Sequence, residues 1–258
     1  MSSILLFDSG VGGLSVQQHI AAVLPQACLH YLADNGRFPY GELPEQELID
    51  GCVSLIEAFV AQHPIDLVVV ACNSASTLVL APLRQRLSIP VVGVVPAVKP
   101  AAQISRTKTI ALLATPGTVR RSYTDNLIND FAADCQVLRL GSSELVMMAE
   151  AKLSGAPVDM ARLSRVLAPL QQPQVDTVIL GCTHFPLLTD EIAEVMGPKV
   201  QLVDSGAAIA RRVLALLANN SAKNNQAAGF YFTGAEPNTS LITALARFGF
   251  NSVQRFCA

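Results

Sequence analysis

Residues 66–76 read DLVVVACNSAS, and residues 176–186 read DTVILGCTHFP. In both, five mostly apolar residues separate an Asp from a Cys, and a polar turn follows. A short, continuously apolar run ending in polar residues predicts a strand buried on both faces, as in a parallel sheet. The two stretches align as a weak internal repeat. Each half opens on a strand that runs into a turn, ILLFDSG (4–10) or IALLATPG (110–117). Each Cys is followed, about equally far on, by another strand, PVVGVVP (90–96) or VQLVDSG (200–206).

Working outward, further apolar runs at 3–7, 28–33 and 135–140 alternate with helical patterns near 14–24, 44–62, 77–87, 118–133, 144–153, 159–171, 187–196 and 206–218. Such alternation predicts an α/β fold of mostly parallel sheets joined by crossover helices. With the repeat, it becomes two pseudo-symmetric α/β lobes facing each other across a cleft. The polar, Asn-rich stretch 219–229 reads as a surface loop leading to a short last strand, FYFTG (230–234), and a helix.

Bulk composition narrows the class. The chain has 258 residues, 51% of them apolar and 15% charged, with no Trp. That balance suggests well-covered strands and contact between subunits, as in a homodimer. A formal charge of −2 leaves no basic footprint for nucleic acid. The apolar runs fall short of a membrane span, and MSSILLFDSG (1–10) lacks the pattern of a signal peptide. Six widely scattered Cys with no C-x-x-C imply reduced thiols and a cytoplasmic enzyme or binding protein.

Cys72 and Cys182 stand where strands give way to turns, the end of a parallel sheet at which ligands bind. Each is followed by a short hydrogen-bonding residue, Asn73 or Thr183. Cys28, Cys52, Cys135 and Cys257 lack this context and read as packing or tail residues. A disulfide is disfavoured by compartment. Zinc wants four ligands; of the four His, His19 and His63 fall in helical stretches and His30 in a strand, so no metal site is expected. What remains for two related thiols is proton transfer on opposite faces of one carbon. Thiols with an ordinary pKa of about 8.5 are poised for this by modest shifts.

Asp8, at the end of the first strand, is the expected proton partner of Cys72, and His184 that of Cys182. The alternatives are a turn-forming Asp and a structural loop His. DSGVGG (8–13) invites a dinucleotide reading with Asp34 as the ribose acid, but Ser15 takes the third glycine position and a carboxylate heads the loop. The glycines read instead as admitting a small anion to backbone N–H groups at a helix N-terminus. CNSAS (72–76) and ATPGT (114–118) offer hydroxyls and amides for an amino group and carboxylates, or serve as helix caps. DNGRFPYG (34–41) reads as a cleft wall contributing Tyr40 and Gly41, with Arg37 structural.

FDSGVGGLSV (7–16), DNGRFPYG, ACNSAS (71–76), ATPGTV (114–119) and LGCTHFPLL (180–188), in this order and spacing, resemble the glutamate branch of the aspartate/glutamate racemase superfamily. The resemblance implies a cofactor-independent two-base racemase acting on L- and D-glutamate and feeding peptidoglycan synthesis. By the family pattern Cys72 acts on one enantiomer and Cys182 on the other, assisted by Asp8, His184 and a further carboxylate, Glu150. Substrate contacts then fall on Asp8, Ser9, Pro39, Tyr40, Gly41, Asn73, Ser74, Thr115, Thr118, Thr183 and His184. The implied lobes are 1–97 with 208–258, and 98–207. Ser74 replaces the usual Thr, ADNG (33–36) the usual Gly-Asp-Thr/Ser-Ala, and Pro44 the usual Ser; LVMMAEAKLSG (145–155) is a loose match. Competing readings are an aspartate racemase, a dinucleotide-dependent oxidoreductase and a dicarboxylate-binding protein. A pyridoxal phosphate enzyme is disfavoured, because none of the five Lys sits in a persuasive pocket motif.

Overall fold

A computed structural model describes residues 2–218 and 228–257. Its strands are β1 (Ser3–Asp8), β2 (Cys28–Ala33), β3 (Leu67–Val70), β4 (Val91–Gly93), β5 (Thr109–Ala114), β6 (Gln136–Gly141), β7 (Thr177–Leu180), β8 (Gln201–Val203), β9 (Gly229–Phe232) and β10 (Val253–Arg255). The helices are α1 (Leu14–Val23), α2 (Glu45–Gln62), α3 (Asn73–Arg86), α4 (Val98–Ile104), α5 (Pro116–Arg120), α6 (Ser122–Phe131), α7 (Glu144–Leu153), α8 (Met160–Leu167), α9 (Thr189–Met196), α10 (Gly206–Leu217) and α11 (Thr239–Arg247).

The strands form two all-parallel sheets, ordered β10-β9-β2-β1-β3-β4 and β6-β5-β7-β8. The order β2-β1-β3-β4 recurs as β6-β5-β7-β8, so the repeat read in the sequence is a repeat of topology. Register agrees as well. Phe7 pairs with Val70 as Leu113 pairs with Leu180, which leaves Cys72 and Cys182 each two residues past the last paired position. The two thiols are therefore carried by equivalent strand ends.

Strand alternation sorts the core. Ile4 and Leu6 of β1 pack with α1, α10 and α11, while Leu5 and Phe7 pack with α2 and α3. In the second sheet Ala111 and Leu113 face α7, α8 and α9, and Ile110 and Leu112 face α4 and α6. Both central strands of both sheets are fully covered, as their continuous apolar runs require.

Several boundaries differ from the sequence expectation. The helix expected from 77 starts at Asn73: the Cys72 carbonyl accepts from Ser76 N at 2.8 Å, and Ser76 Oγ donates to the Val70 carbonyl. Residues 73–76 are thus the first helical turn, with Cys72 as its N-cap, rather than a loop before it. The helix expected over 118–133 is broken at Arg121, which is extended at φ −75°, ψ 141°. The stretches expected as helices over 159–171 and 187–196 include 3₁₀ turns at 168–170 and 185–188. Helix α4 and strand β10 were not foreseen. The expected surface loop at 219–229 lies outside the described residues except for its last two, and Gly229 already belongs to β9.

Candidate active site

The C-terminal ends of β1, β3, β5 and β7 converge between the two sheets. Asp8 ends β1 and is fully buried. Its Oδ1 accepts from Ser9 N at 2.6 Å and Ser9 Oγ at 3.3 Å; its Oδ2 accepts from Thr183 Oγ1 of the other lobe at 2.9 Å. Ser9 Oγ in turn lies 4.0 Å from Cys72 Sγ. The hydrogen bonds of the described residues thus connect Asp8 to Cys72 through the Ser9 hydroxyl, a longer path than a direct pair. Cys72 occupies the N-cap position of α3.

On the other side, Cys182 Sγ lies 3.7 Å from His184 Nδ1, and His184 Nε2 lies 2.7 Å from Glu150 Oε1 on α7. Glu150 Oε1 also accepts from Val11 N at 2.8 Å. The anion held by the glycine-rich loop is therefore the protein's own carboxylate. The glycines make room for it: a Cβ on Gly10 would lie 2.1 Å from Glu150 Oε1, and one on Gly12 2.5 Å from His184 Nδ1 and 2.6 Å from Thr183 Oγ1. A dinucleotide pyrophosphate would compete with Glu150 for the same N–H, so the dinucleotide reading fails on geometry. Ser15, in the third glycine position, lies with its Oγ 2.8 Å from the Thr183 carbonyl and again joins the lobes.

Electrostatics differ on the two sides. Burial raises the Asp8 carboxyl above its ordinary value, opposed by the His184 charge and the Thr183 and Ser9 hydrogen bonds. Burial, with the charge of Asp8 behind it, pushes the Cys72 thiol well up; the helix amide of Ala75 works the other way. For His184, burial disfavours the charged ring, but hydrogen bonds to Cys182 and Glu150 and the Glu150 charge outweigh it. The ring stays protonated well above the usual range. The second thiol thus has a cationic neighbour, and the first a carboxyl that resists ionisation.

Both thiols line one cavity with about 20 Å³ of water-occupiable space. The first lobe contributes Ser9, Pro39, Tyr40, Gly41, Cys72 and Ser74, and the second Thr115, Cys182, Thr183 and His184. Asp8, Thr118 and Glu150 stand behind this lining, bonded to Ser9, Thr115 and His184. Asn73 is 3% exposed, and its Nδ2 has no hydrogen-bond partner among the described residues, an amide donor in reserve beside Cys72. The Tyr40 hydroxyl donates to Asp34, so its ring and backbone, rather than its O–H, face the cavity. Asp34 also takes Arg37 Nε at 2.6 Å and Thr233 Oγ1 at 2.7 Å, which makes Arg37 structural. Ser143 and Val146 line the cavity as well; the sequence reading missed both, and only the start of a helix in the second half pointed to that stretch.

The other cysteines sit away from this chemistry. Burial pushes Cys52 up to about 12, and Cys28 lies against His30 at 3.4 Å. Among the described residues no three His, Cys, Asp or Glu side chains converge as a bound metal would require.

The chain as a whole has counterparts among known proteins. A family model described as Asp/Glu/Hydantoin racemase matches residues 14–213. The chain belongs to this racemase family. It is 56% identical over 253 residues to a curated glutamate racemase of Shewanella halifaxensis, covering 97% of this chain and 95% of the relative. It is 53% identical to the glutamate racemase of Shewanella sp. strain ANA-3, over 98% of this chain and 96% of the relative. The crystal structure of Escherichia coli glutamate racemase, in complex with L-glutamate and the activator UDP-MurNAc-ala, superposes with a TM-score of 0.96 at 46% identity, covering 99% of this chain and 98% of that one. The protein is thus an amino-acid racemase, and the racemase fold accounts for both sheets.

Proposed function

We propose that this racemase interconverts L- and D-glutamate by passing the α-proton between two thiols without a cofactor, and that it supplies D-glutamate for peptidoglycan synthesis in the cytoplasm. The observation that carries this reading is that Cys72 and Cys182, on equivalent strand ends of the two sheets, open onto one cavity, with Ser9 beside the first thiol and His184 beside the second. The lobes are taken as 1–97 with 208–258, and 98–207. Glutamate as substrate is supported by the curated relatives, and the cell-wall role by the activator named for the E. coli relative.

One thiolate takes the α-proton, breaking C–H and forming S–H. The opposite thiol then gives its proton to the other face of the carbanion and becomes a thiolate. After one turnover the protonation states of the two sulfurs are exchanged, so another turnover in the same direction requires a reset. The Ser9–Asp8 path serves Cys72, and the His184–Glu150 pair serves Cys182. Asn73 Nδ2, a donor without a partner among the described residues, suits a substrate carboxylate, and the hydroxyls of Ser74, Thr115 and Thr183, which bond Thr115, Thr118 and Asp8, add polar lining.

An enantiomer-resolved assay with L-glutamate and L-aspartate, on protein dialysed against a chelator, tests this reading. D-glutamate formed from L-glutamate is expected. D-aspartate alone, from L-aspartate, would overturn the choice of substrate.

A further inference from the structure

Ser74 is the centre of a second set of contacts between the lobes. Its Oγ lies 3.0 Å from Thr115 Oγ1 and 3.5 Å from Thr118 Oγ1, both on the second lobe. Its carbonyl accepts from Arg121 Nη1 at 2.5 Å, and the same nitrogen lies 2.7 Å from Thr77 Oγ1 one turn along α3. Arg121 Nε faces Glu45 Oε1 at 3.3 Å, at the start of α2. The Arg121 side chain is 11% exposed, whereas that of Glu45 is 63% exposed. Arg121 is also the residue at which the expected helix breaks into α5 and α6, and its extended backbone carries the side chain across to α3.

A groove of about 470 Å³, lined by Gly41, Glu45, Thr77, Arg121 and Tyr123 among others, lies outside this contact, and Gly41 borders both the groove and the cavity. Arg121 therefore stands between solvent and the Ser74 side of the site. An arginine fork suits this place: one nitrogen serves α3 while another meets Glu45, a division a single ammonium cannot reproduce.

We propose that Arg121 is a positioning residue for the racemase. By holding the Ser74 carbonyl and Thr77, it fixes the first turn of α3 so that the Ser74 hydroxyl meets Thr115 and Thr118 where substrate binds. This inference rests on the racemase reading above. The Glu45 pair is too exposed to carry the effect by itself.

The test measures kcat and KM in both directions for wild type, Arg121→Ala, Arg121→Lys and Glu45→Gln, with melting temperatures alongside. For Arg121→Ala, kcat/KM is expected to fall about thirty-fold, mostly through KM, as for lost binding contacts rather than lost chemistry. Added guanidinium ion should restore part of that loss, Arg121→Lys should fall between the two, and Glu45→Gln should stay within about two-fold of wild type. The assignment is overturned if Arg121→Ala keeps kcat/KM within two-fold of wild type, or if its loss tracks a lowered melting temperature and guanidinium restores nothing. An effect of Glu45→Gln as large as that of Arg121→Ala would also overturn it. A wild type inactive on glutamate would refute the substrate reading instead, and the same ratios would then score Arg121 on the amino acid it does racemise.

Discussion

Glu150→Gln probes the proton path behind Cys182. The carboxylate accepts from His184 Nε2 at 2.7 Å and from Val11 N at 2.8 Å, with its side chain 21% exposed. Glutamine is nearly the same shape and keeps one acceptor oxygen, but it removes the charge. A hydrogen bond to a charged group is worth about 1.5–3 kcal/mol and a neutral one about 0.5–1.5, so the change costs roughly 1–1.5 kcal/mol. At about 1.4 kcal/mol per unit, the His184 pKa should drop by about one unit. The sign follows from the cause: hydrogen bonding and charge from Glu150 hold the ring protonated, so their loss lowers its pKa. In a pH profile of kcat/KM, the limb on which His184 loses its proton should therefore move about one unit toward acid, with about a ten-fold fall in rate above it. The two enantiomers of an amino acid have equal free energy in water, so the fall in kcat/KM must be the same in both directions. Circular dichroism of the substrate, followed from each enantiomer across pH, reads both quantities. An unchanged limb and a rate within two-fold of wild type would refute the role given to Glu150.

Asp8→Asn should melt higher than wild type at pH values above the folded pKa of Asp8, while abolishing racemisation. The buried carboxyl has a raised folded pKa, so its favourable contribution is complete below the unfolded value, 3.8, and lost as pH rises through the folded one. The amide does not lose this contribution, so the variant's gain over wild type should widen as pH rises through the folded value, and scanning calorimetry of both proteins across pH checks it. Gly12→Ala should lower kcat/KM by about 100-fold, because the new Cβ would meet the buried His184 and Thr183 side chains at 2.5–2.6 Å and neither can move without parting the lobes; steady-state kinetics decide it. Asn35→Ala removes acceptors for Thr233 N at 3.1 Å and Gly234 N at 2.7 Å and a donor to the Ala235 carbonyl at 2.7 Å. It should cost about 2 kcal/mol in urea unfolding and raise KM by loosening the loop that carries Tyr40 and Gly41.

The central strands and both thiols were legible because local signals carry them: DLVVVAC and DTVILGC are continuous apolar runs with a Cys at the same offset. What was illegible is long-range. The Thr183–Asp8 and Ser15–Thr183 contacts join residues 175 and 168 positions apart, and no periodicity encodes them. The loop glycines were recognised as admitting an anion, but Glu150 lies on another helix, and only the family resemblance singled it out. Arg121 was hidden because its helical pattern continues on both sides, whereas its extended backbone goes with a tertiary bond to the Ser74 carbonyl. Helix α4 escaped notice as a seven-residue segment with Pro100 inside it, and β10 as three residues of mixed polarity at a sheet edge. The start of α3 was displaced because Asn and Ser favour caps and turns, whereas residues 73–76 form its first turn with Cys72 as the N-cap.

Exchange of the α-proton in deuterated water, followed by NMR from each glutamate enantiomer with wild type, Cys72→Ser and Cys182→Ser, addresses the two-thiol mechanism most directly. Wild type should form product deuterated at the α-carbon from either enantiomer, and each single substitution should nearly abolish racemisation while leaving the protein folded. Normal racemisation by either variant would contradict a mechanism that needs both sulfurs.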